Sequence, residues 1–249
     1  MTHPPQVRKV ALVTGGARRV GAEICRHLHV NSVDVVIHCN HSTDEAQALA
    51  TELNASRKKS AAVVQADLNQ STAPEILRTA VLDHYSRCDF LVNNASSFYP
   101  TPVGAIIPEN WQDLFNTNAM QPLMLAQALA DELKSTRGAI VNLADIYGFR
   151  PLKHHTVYSM AKAANLMLTK SLAIEMAPHV RVNGVAPGAA LWPEDSSGNE
   201  IENPELMAKI PLGRIGGAQS IAEAVVFLAL KSPYTTGTIL TVDGGRSAS

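Results

Sequence analysis

Residues 9–21 read Lys-Val-Ala-Leu-Val-Thr-Gly-Gly-Ala-Arg-Arg-Val-Gly. A short apolar run suited to a strand buried on both faces passes through Thr14, Gly15 and Gly16, and an amphipathic stretch, Gly21–Val30, follows at once. The same unit repeats outward from this point. With Lys9–Thr14 as the first strand, further strands are predicted at Val33–His38, Ala61–Ala66, Asp89–Asn93, Ala139–Leu143, Arg181–Val185 and Thr238–Val242. Helical periodicity occupies Ala73–Tyr85, Trp111–Leu133, Tyr158–Ala177 and Ile221–Leu230. Apolar strands alternating with helices predict an α/β fold: a single-domain, Rossmann-type, doubly wound parallel sheet of about seven strands with helices on both faces. No compositional break or internal repeat divides residues 1–249, so one domain is expected. Within it residues 188–217, rich in Pro, Gly, Asn and acids, are predicted to form a substrate-binding loop or lid.

Composition excludes several classes of protein. With 46% hydrophobic and 17% charged residues, the 249-residue chain is neither disordered nor fibrous. A net charge of −1 and 5% aromatic residues leave no global field or stacking surface for nucleic acid, which is not an expected partner. Nor is a membrane: no run approaches the ~18 apolar residues of a span, and the first ten residues contain no apolar stretch like that of a signal peptide. Three scattered cysteines, Cys25, Cys39 and Cys88, suit a reducing compartment, so a soluble, cytoplasmic protein is expected. The nine histidines show no metal-ligand spacing, and no metal is expected.

At a strand-to-helix turn, glycines let backbone approach a pyrophosphate while the helix terminus offers free N–H donors. Gly15 and Gly21 fit that role, and Arg19 stands where the middle glycine of the usual three would be. After the second strand the chain reads His38-Cys39-Asn40-His41-Ser42, without the acid that commonly grips a ribose 2′-hydroxyl. Arg18, His41 and Ser42 instead supply a cation and donors for a 2′-phosphate, which favours NADPH over NADH. Asp67, closing the third strand, is either an acceptor for an adenine amino group or a local helix cap.

The other chemical cluster lies later in the chain. Tyr158 and Lys162, four apart in Tyr-Ser-Met-Ala-Lys, share one helix face. An ammonium beside a phenol lowers the phenol's pKa, an arrangement suited to proton transfer coupled to hydride transfer. Asp145 closes the fifth strand thirteen residues upstream, Asn94 to Ser96 close the fourth, and Asn118 sits in Asn-Thr-Asn-Ala within a helical stretch.

The order and spacing of these motifs, with Pro187-Gly188 and the Val242-Asp243-Gly244-Gly245 ending, resemble the short-chain dehydrogenase/reductase family over essentially the whole chain. The resemblance implies that Tyr158 is the proton donor, that Lys162 binds the nicotinamide ribose and tunes the tyrosine, and that Asn118 helps hold the proton relay. It also implies that Gly15, Val20, Gly21, Asp67, Leu68, Asn94, Ala95, Ser96, Pro187 and Gly188 join the cofactor site.

Two departures point to one branch. Most members have Ser where this chain has Asp145, and Gly where it has Arg19. A carboxylate repels a developing alkoxide and disfavours simple carbonyl reduction, whereas it supports a protonated or amino-bearing heterocycle and keeps Tyr158 a donor. The sequence is similar to the pteridine reductase branch, above all in the run Asn-Asn-Ala-Ser-Ser-Phe-Tyr-Pro-Thr-Pro at 93–102. That similarity implies a pterin substrate, with Phe98 stacked on its ring opposite the nicotinamide and Ser96, Arg19, Asp145 and Tyr158 in contact with it. The reaction implied is hydride transfer from NADPH to a C=N bond of a dihydropterin, with oxidised pterin and dihydrofolate as further candidates. A carbonyl reductase acting on 3-oxoacyl thioesters or polyols, and a non-catalytic NADP(H)-binding sensor, are the alternatives. The family resemblance also implies a homotetramer. Within the lid, Glu194, Asp195, Glu200, Glu202 and Glu205 are expected to repel anionic acyl carriers, and Leu191, Trp192 and Met207 are candidates to cover the ring. His154 and His155 are expected to be exposed loop residues.

Overall fold

In the computed structural model of the protein, residues 8–191 and 203–248 are described. Seven strands, β1 (Lys9–Val13), β2 (Val33–Cys39), β3 (Ala61–Gln65), β4 (Phe90–Asn93), β5 (Ala139–Leu143), β6 (Arg181–Pro187) and β7 (Ile239–Val242), form one sheet in the order β3-β2-β1-β4-β5-β6-β7. Every pairing is parallel. The order reverses direction between β1 and β4, so a crevice opens beyond their carboxyl ends, where doubly wound sheets bind ligands.

Alternation along each strand feeds two cores. Ala11 and Val13 of β1 face α1 (Arg19–Val30), α2 (Thr43–Ser56) and the later helix at Gly217–Val226. Val10 and Leu12 face the opposite layer, which includes α3 (Ala73–Tyr85). The strands begin and end within two residues of the positions expected from their apolar runs. The helix α2 was not singled out by those runs, although Ala46, Leu49, Ala50 and Leu53 recur at helical spacing and are buried.

The segment expected as one helix over Trp111–Leu133 is instead four pieces. These are α4 (Pro108–Phe115), a π-helical turn (Asn116–Met120), α5 (Gln121–Ala128) and α6 (Ala130–Thr136). Pro122, four residues after Asn118, has no N–H to give the Asn118 carbonyl, so the regular ladder cannot close. That carbonyl accepts instead from Asn165 Nδ2 at 2.8 Å, on α7 (Thr156–Glu175). The break therefore joins the α4–α5 arm to the helix that carries Tyr158 and Lys162. Among its described residues the predicted lid holds one short helix, α8 (Pro204–Met207), and it ends where α9 (Gly217–Val226) begins. Trp192, Glu194, Asp195, Glu200 and Glu202 lie outside the described residues.

Candidate active site

The turn after β1 is held from three sides. The Thr14 hydroxyl accepts from the N–H groups of Asn94 (2.9 Å) and Ala95 (3.1 Å), and Asn94 Nδ2 donates to the carbonyls of Thr14 and Gly15, both at 2.9 Å. The Gly15 N–H donates to Nδ1 of buried His38 at 3.0 Å, which leaves Nε2 to donate to the Ala66 carbonyl at 3.0 Å. Burial pushes the His38 pKa down, in keeping with a neutral ring committed on both nitrogens. A Cβ at Gly21 would meet the Gly15 carbonyl oxygen at 2.0 Å, so only glycine lets α1 start this close to the turn. Arg19, at the place of the usual middle glycine, adopts a left-handed φ of 50°.

Above this turn lies a cleft of about 640 Å³ lined by Gly15, Arg18, Arg19, Val20, Gly21, His41, Asp67, Leu68, Asn94, Ala95 and Ser96. His38, Asn40, Asn69, Ser97, Asp113 and Thr117, which the motifs did not mark, complete it. Arg18 also reaches Glu45 at 3.8 Å. Ser42 does not line the cleft but precedes the first turn of α2, as expected of a residue whose side chain favours helix starts. Asp67 Oδ1 accepts from the Asn69 N–H at 2.9 Å, the local capping arrangement, while still facing the cleft. Pro187 and Gly188 lie outside it at the end of β6, where the Gly188 N–H donates to Val242 O at 3.0 Å. The lining fits a dinucleotide phosphate: Arg18, Arg19 and the N-terminus of α1 border the cleft, and no carboxylate closes β2.

The proton-transfer groups gather at the neighbouring strand end, since Asn93 of β4 pairs with Asn142 of β5. Asp145 opens a 3₁₀ turn, Ile146–Gly148; its Oδ1 accepts the Tyr147 N–H at 2.8 Å and its Oδ2 accepts the Tyr158 hydroxyl at 2.7 Å. Gly148 lets that turn lie on α7, because a Cβ there would sit 3.0 Å from the Lys162 carbonyl. Lys162 Nζ donates to Leu143 O at 2.8 Å and lies 5.7 Å from the centre of the Tyr158 ring. The Ser96 hydroxyl donates to Asn118 Oδ1 at 2.7 Å, and Asn118 Nδ2 donates to Ser97 O at 3.0 Å. Asn118 thus braces the β4 end from the π turn.

Electrostatics follow from burial. The Asp145 pKa is raised by desolvation, against the pull of the hydrogen bonds from Tyr147 and Tyr158 and of the positive charges of Lys162 and Arg246. Tyr158 is raised well above an ordinary phenol by burial and then by the Asp145 carboxylate. Burial lowers Lys162 to about 8, opposed by Asp145. The expectation that Lys162 draws the Tyr158 phenol down is therefore corrected: its ammonium bonds a backbone carbonyl, and the groups acting on the phenol favour its protonated form. Phe98 is 55% exposed, so it is not core filler. One face stacks on His155 (centroids 4.7 Å, planes 14°), and the ring meets Tyr158 edge-on at 4.8 Å. His155, expected as a free loop residue, is thus part of the wall beside Tyr158. Among the described residues no cluster of three metal-ligating side chains occurs, and no helix is long and apolar enough to cross a membrane.

A family profile described as short chain dehydrogenase matches residues 9–197. Pteridine reductase 1 of Leishmania tarentolae is 38% identical, the alignment covering 96% of each chain. A 3-oxoacyl-(acyl-carrier-protein) reductase of Chlamydia trachomatis is 32% identical over 97% of this chain and 98% of its own. The 3beta-hydroxysteroid dehydrogenase 1 of Eggerthella lenta is 32% identical over 96% and 94% respectively.

Proposed function

The chain belongs to the short-chain dehydrogenase family and is an oxidoreductase of the kind that binds a nicotinamide cofactor; from that premise we propose that it is an NADPH-dependent pteridine reductase. The observation that carries this reading is the 2.7 Å hydrogen bond from Tyr158 to the Asp145 carboxylate, beside the exposed ring of Phe98.

Arg18, Arg19 and His41 would hold the cofactor phosphates, with Asn40 rather than an acid beside a 2′-phosphate. Asp67 and Leu68 would flank the adenine, Lys162 would hold the nicotinamide ribose, and Ala95, Pro187 and Gly188 would flank the nicotinamide. When bound, the nicotinamide supplies the hydride for a C=N bond of a dihydropterin. Phe98 offers the face opposite His155, or its edge, to a flat heterocycle and orients it. Tyr158, protonated through the neutral range, donates its proton to a ring nitrogen, and Asp145 holds the phenol in the donor state. Ser96 and Arg19 supply polar contacts to the ring, and residues 188–217 act as the lid.

Reduction of a 3-oxoacyl thioester, the activity in the name of the Chlamydia relative, would place a developing alkoxide against the Asp145 carboxylate, which opposes it. Self-association is part of the same reading. Met160, Met167 and Ile174 are exposed at seven-residue intervals along α7. Met120 and Leu123 extend the apolar surface onto the α4–α5 arm, which suits a homotetramer. Three free, buried thiols suit a cytoplasmic setting.

The test is NADPH oxidation by the purified protein with dihydrobiopterin, dihydromonapterin, dihydrofolate or an acetoacetyl thioester, repeated with NADH. Turnover of a dihydropterin with NADPH, lost in Tyr158→Phe, is expected. Turnover of the thioester alone would refute the reading.

A further inference from the structure

The tail after β7 is tightly built for a chain end. Gly244 and Gly245 turn it at φ 65° and 87°, and the Asp243 carboxylate accepts the N–H groups of Gly245 at 2.9 Å and Ser247 at 2.6 Å. Arg150 donates to the Arg246 carbonyl, and the Arg246 N–H donates to Asp243 O at 3.3 Å. This framework aims one side chain back at the site. The Arg246 guanidinium donates to the Tyr147 hydroxyl at 2.7 Å and lies 5.3 Å from the centre of its ring.

We infer that Arg246 is a positioning residue of this active site: through Tyr147 it fixes the turn that carries Asp145, and it sets a permanent positive charge against the Asp145–Tyr158 pair. The inference rests on the proposed reductase chemistry. The connection is continuous. Arg246 bonds the Tyr147 phenol, the Tyr147 N–H bonds Asp145 Oδ1, and Asp145 Oδ2 bonds the Tyr158 hydroxyl. The charged and titratable groups facing Asp145 are Tyr158 and Lys162 from α7, Tyr147 from its own turn, and Arg246 from the tail. Of the two cations, Lys162 is buried and lowered to about 8, so its charge is lost above that pH. A guanidinium does not deprotonate there. Arg246 is thus the pH-independent counter-charge for a desolvated carboxylate.

The experiment compares wild type with Arg246→Gln, Arg246→Lys and Tyr147→Phe. Two readouts are taken: the pH dependence of kcat for the dihydropterin, and infrared titration of the Asp145 carboxyl band, identified by difference from Asp145→Asn. Loss of the cation disfavours the carboxylate. The titration midpoint and the acidic limb of kcat are therefore expected to move up by about one pH unit in Arg246→Gln, and by much less in Arg246→Lys. Tyr147→Phe keeps the charge and breaks the hydrogen bond; about a tenfold lower kcat, with KM within about twofold and an unmoved midpoint, is expected. Should Arg246→Gln fail to fold, Arg246→Met, which also removes the charge but keeps the apolar stem, is read by the same criteria. A midpoint and pH profile identical to wild type in the Arg246 variants, with only the melting temperature lowered, would make Arg246 a tail anchor and overturn the inference. Absence of dihydropterin turnover in the wild type would refute the reductase reading, while the infrared titration would still decide the role of Arg246.

Discussion

The Tyr158 hydroxyl donates to Asp145 Oδ2 at 2.7 Å across thirteen residues of sequence, joining α7 to the turn that follows β5. In most of the family a serine hydroxyl stands at that point. A hydroxyl can donate to a substrate oxygen, whereas a carboxylate only accepts. The exchange reverses the polarity of the group beside the phenol, and on the proposed reading this changes the class of substrate the site stabilises.

Cofactor selectivity follows from the end of β2. Asn40 and His41 line the cleft with Arg18 and Arg19. Asn40→Asp places a negative charge where the 2′-phosphate would sit, and is expected to weaken NADPH binding at least tenfold while leaving NADH within about threefold. Arg18→Ala is expected to weaken NADPH alone. Fluorescence titration with both cofactors checks this, and equal losses for the two would contradict it.

The π turn at 116–120 owes its register to Pro122. Pro122→Ala returns an N–H to the Asn118 carbonyl, which then competes with Asn165 for that acceptor. The expected result is a melting temperature equal to or above wild type together with kcat about tenfold lower, because Asn118 no longer braces Ser96 and Ser97. An unchanged kcat would show that the π turn is unimportant to the site.

Two buried thiols, with the phenols of half-buried Tyr85 and buried Tyr158, lower stability at alkaline pH. Burial raises Cys25 and Cys88 from 9.0 to about 12. The folded state then keeps protons that the unfolded chain loses. Their stabilising effect is complete below pH 9 and disappears as pH rises to 12, at a cost of about 4 kcal/mol for each thiol. Lys162 acts with the opposite sign. Lowered from 10.5 to about 8, it makes the unfolded state the better proton binder between those values, so stability rises there with pH. Urea unfolding across pH 7–11 is expected to show a loss above pH 9 that is smaller in Cys88→Ala than in wild type. The thiols should also resist thiol reagents at neutral pH until the protein unfolds.

Much of the fold was readable because its signals are local. The β5 run Ala139–Leu143 has Gly138 before it and Asp145 two residues after it, and its limits match the apolar run. Helical spacing puts Tyr158 and Lys162 on one face and a strand end carries Asp145, while the roles proposed for them come from the family resemblance. The broken helix was not foreseen, although Pro122 stood in view: proline is tolerated in a helix's first turn, and only the partner on α7 shows which carbonyl it releases. Arg246 was missed for a related reason. It lies 99 residues from Tyr147, and no periodicity connects a C-terminal turn to a strand end. His38 escaped notice because a histidine inside an apolar strand reads as core; its role emerges from the Gly15 N–H it accepts.

The most direct test of the central claim is the substrate preference of wild type against Asp145→Ser, measured as NADPH oxidation with dihydrobiopterin and with an acetoacetyl thioester. Wild type is expected to reduce the pterin and not the thioester. In Asp145→Ser, pterin turnover should fall at least tenfold, with thioester turnover appearing as the repulsive carboxylate is removed. Pterin turnover unchanged by Asp145→Ser, or thioester turnover already present in the wild type, would contradict it.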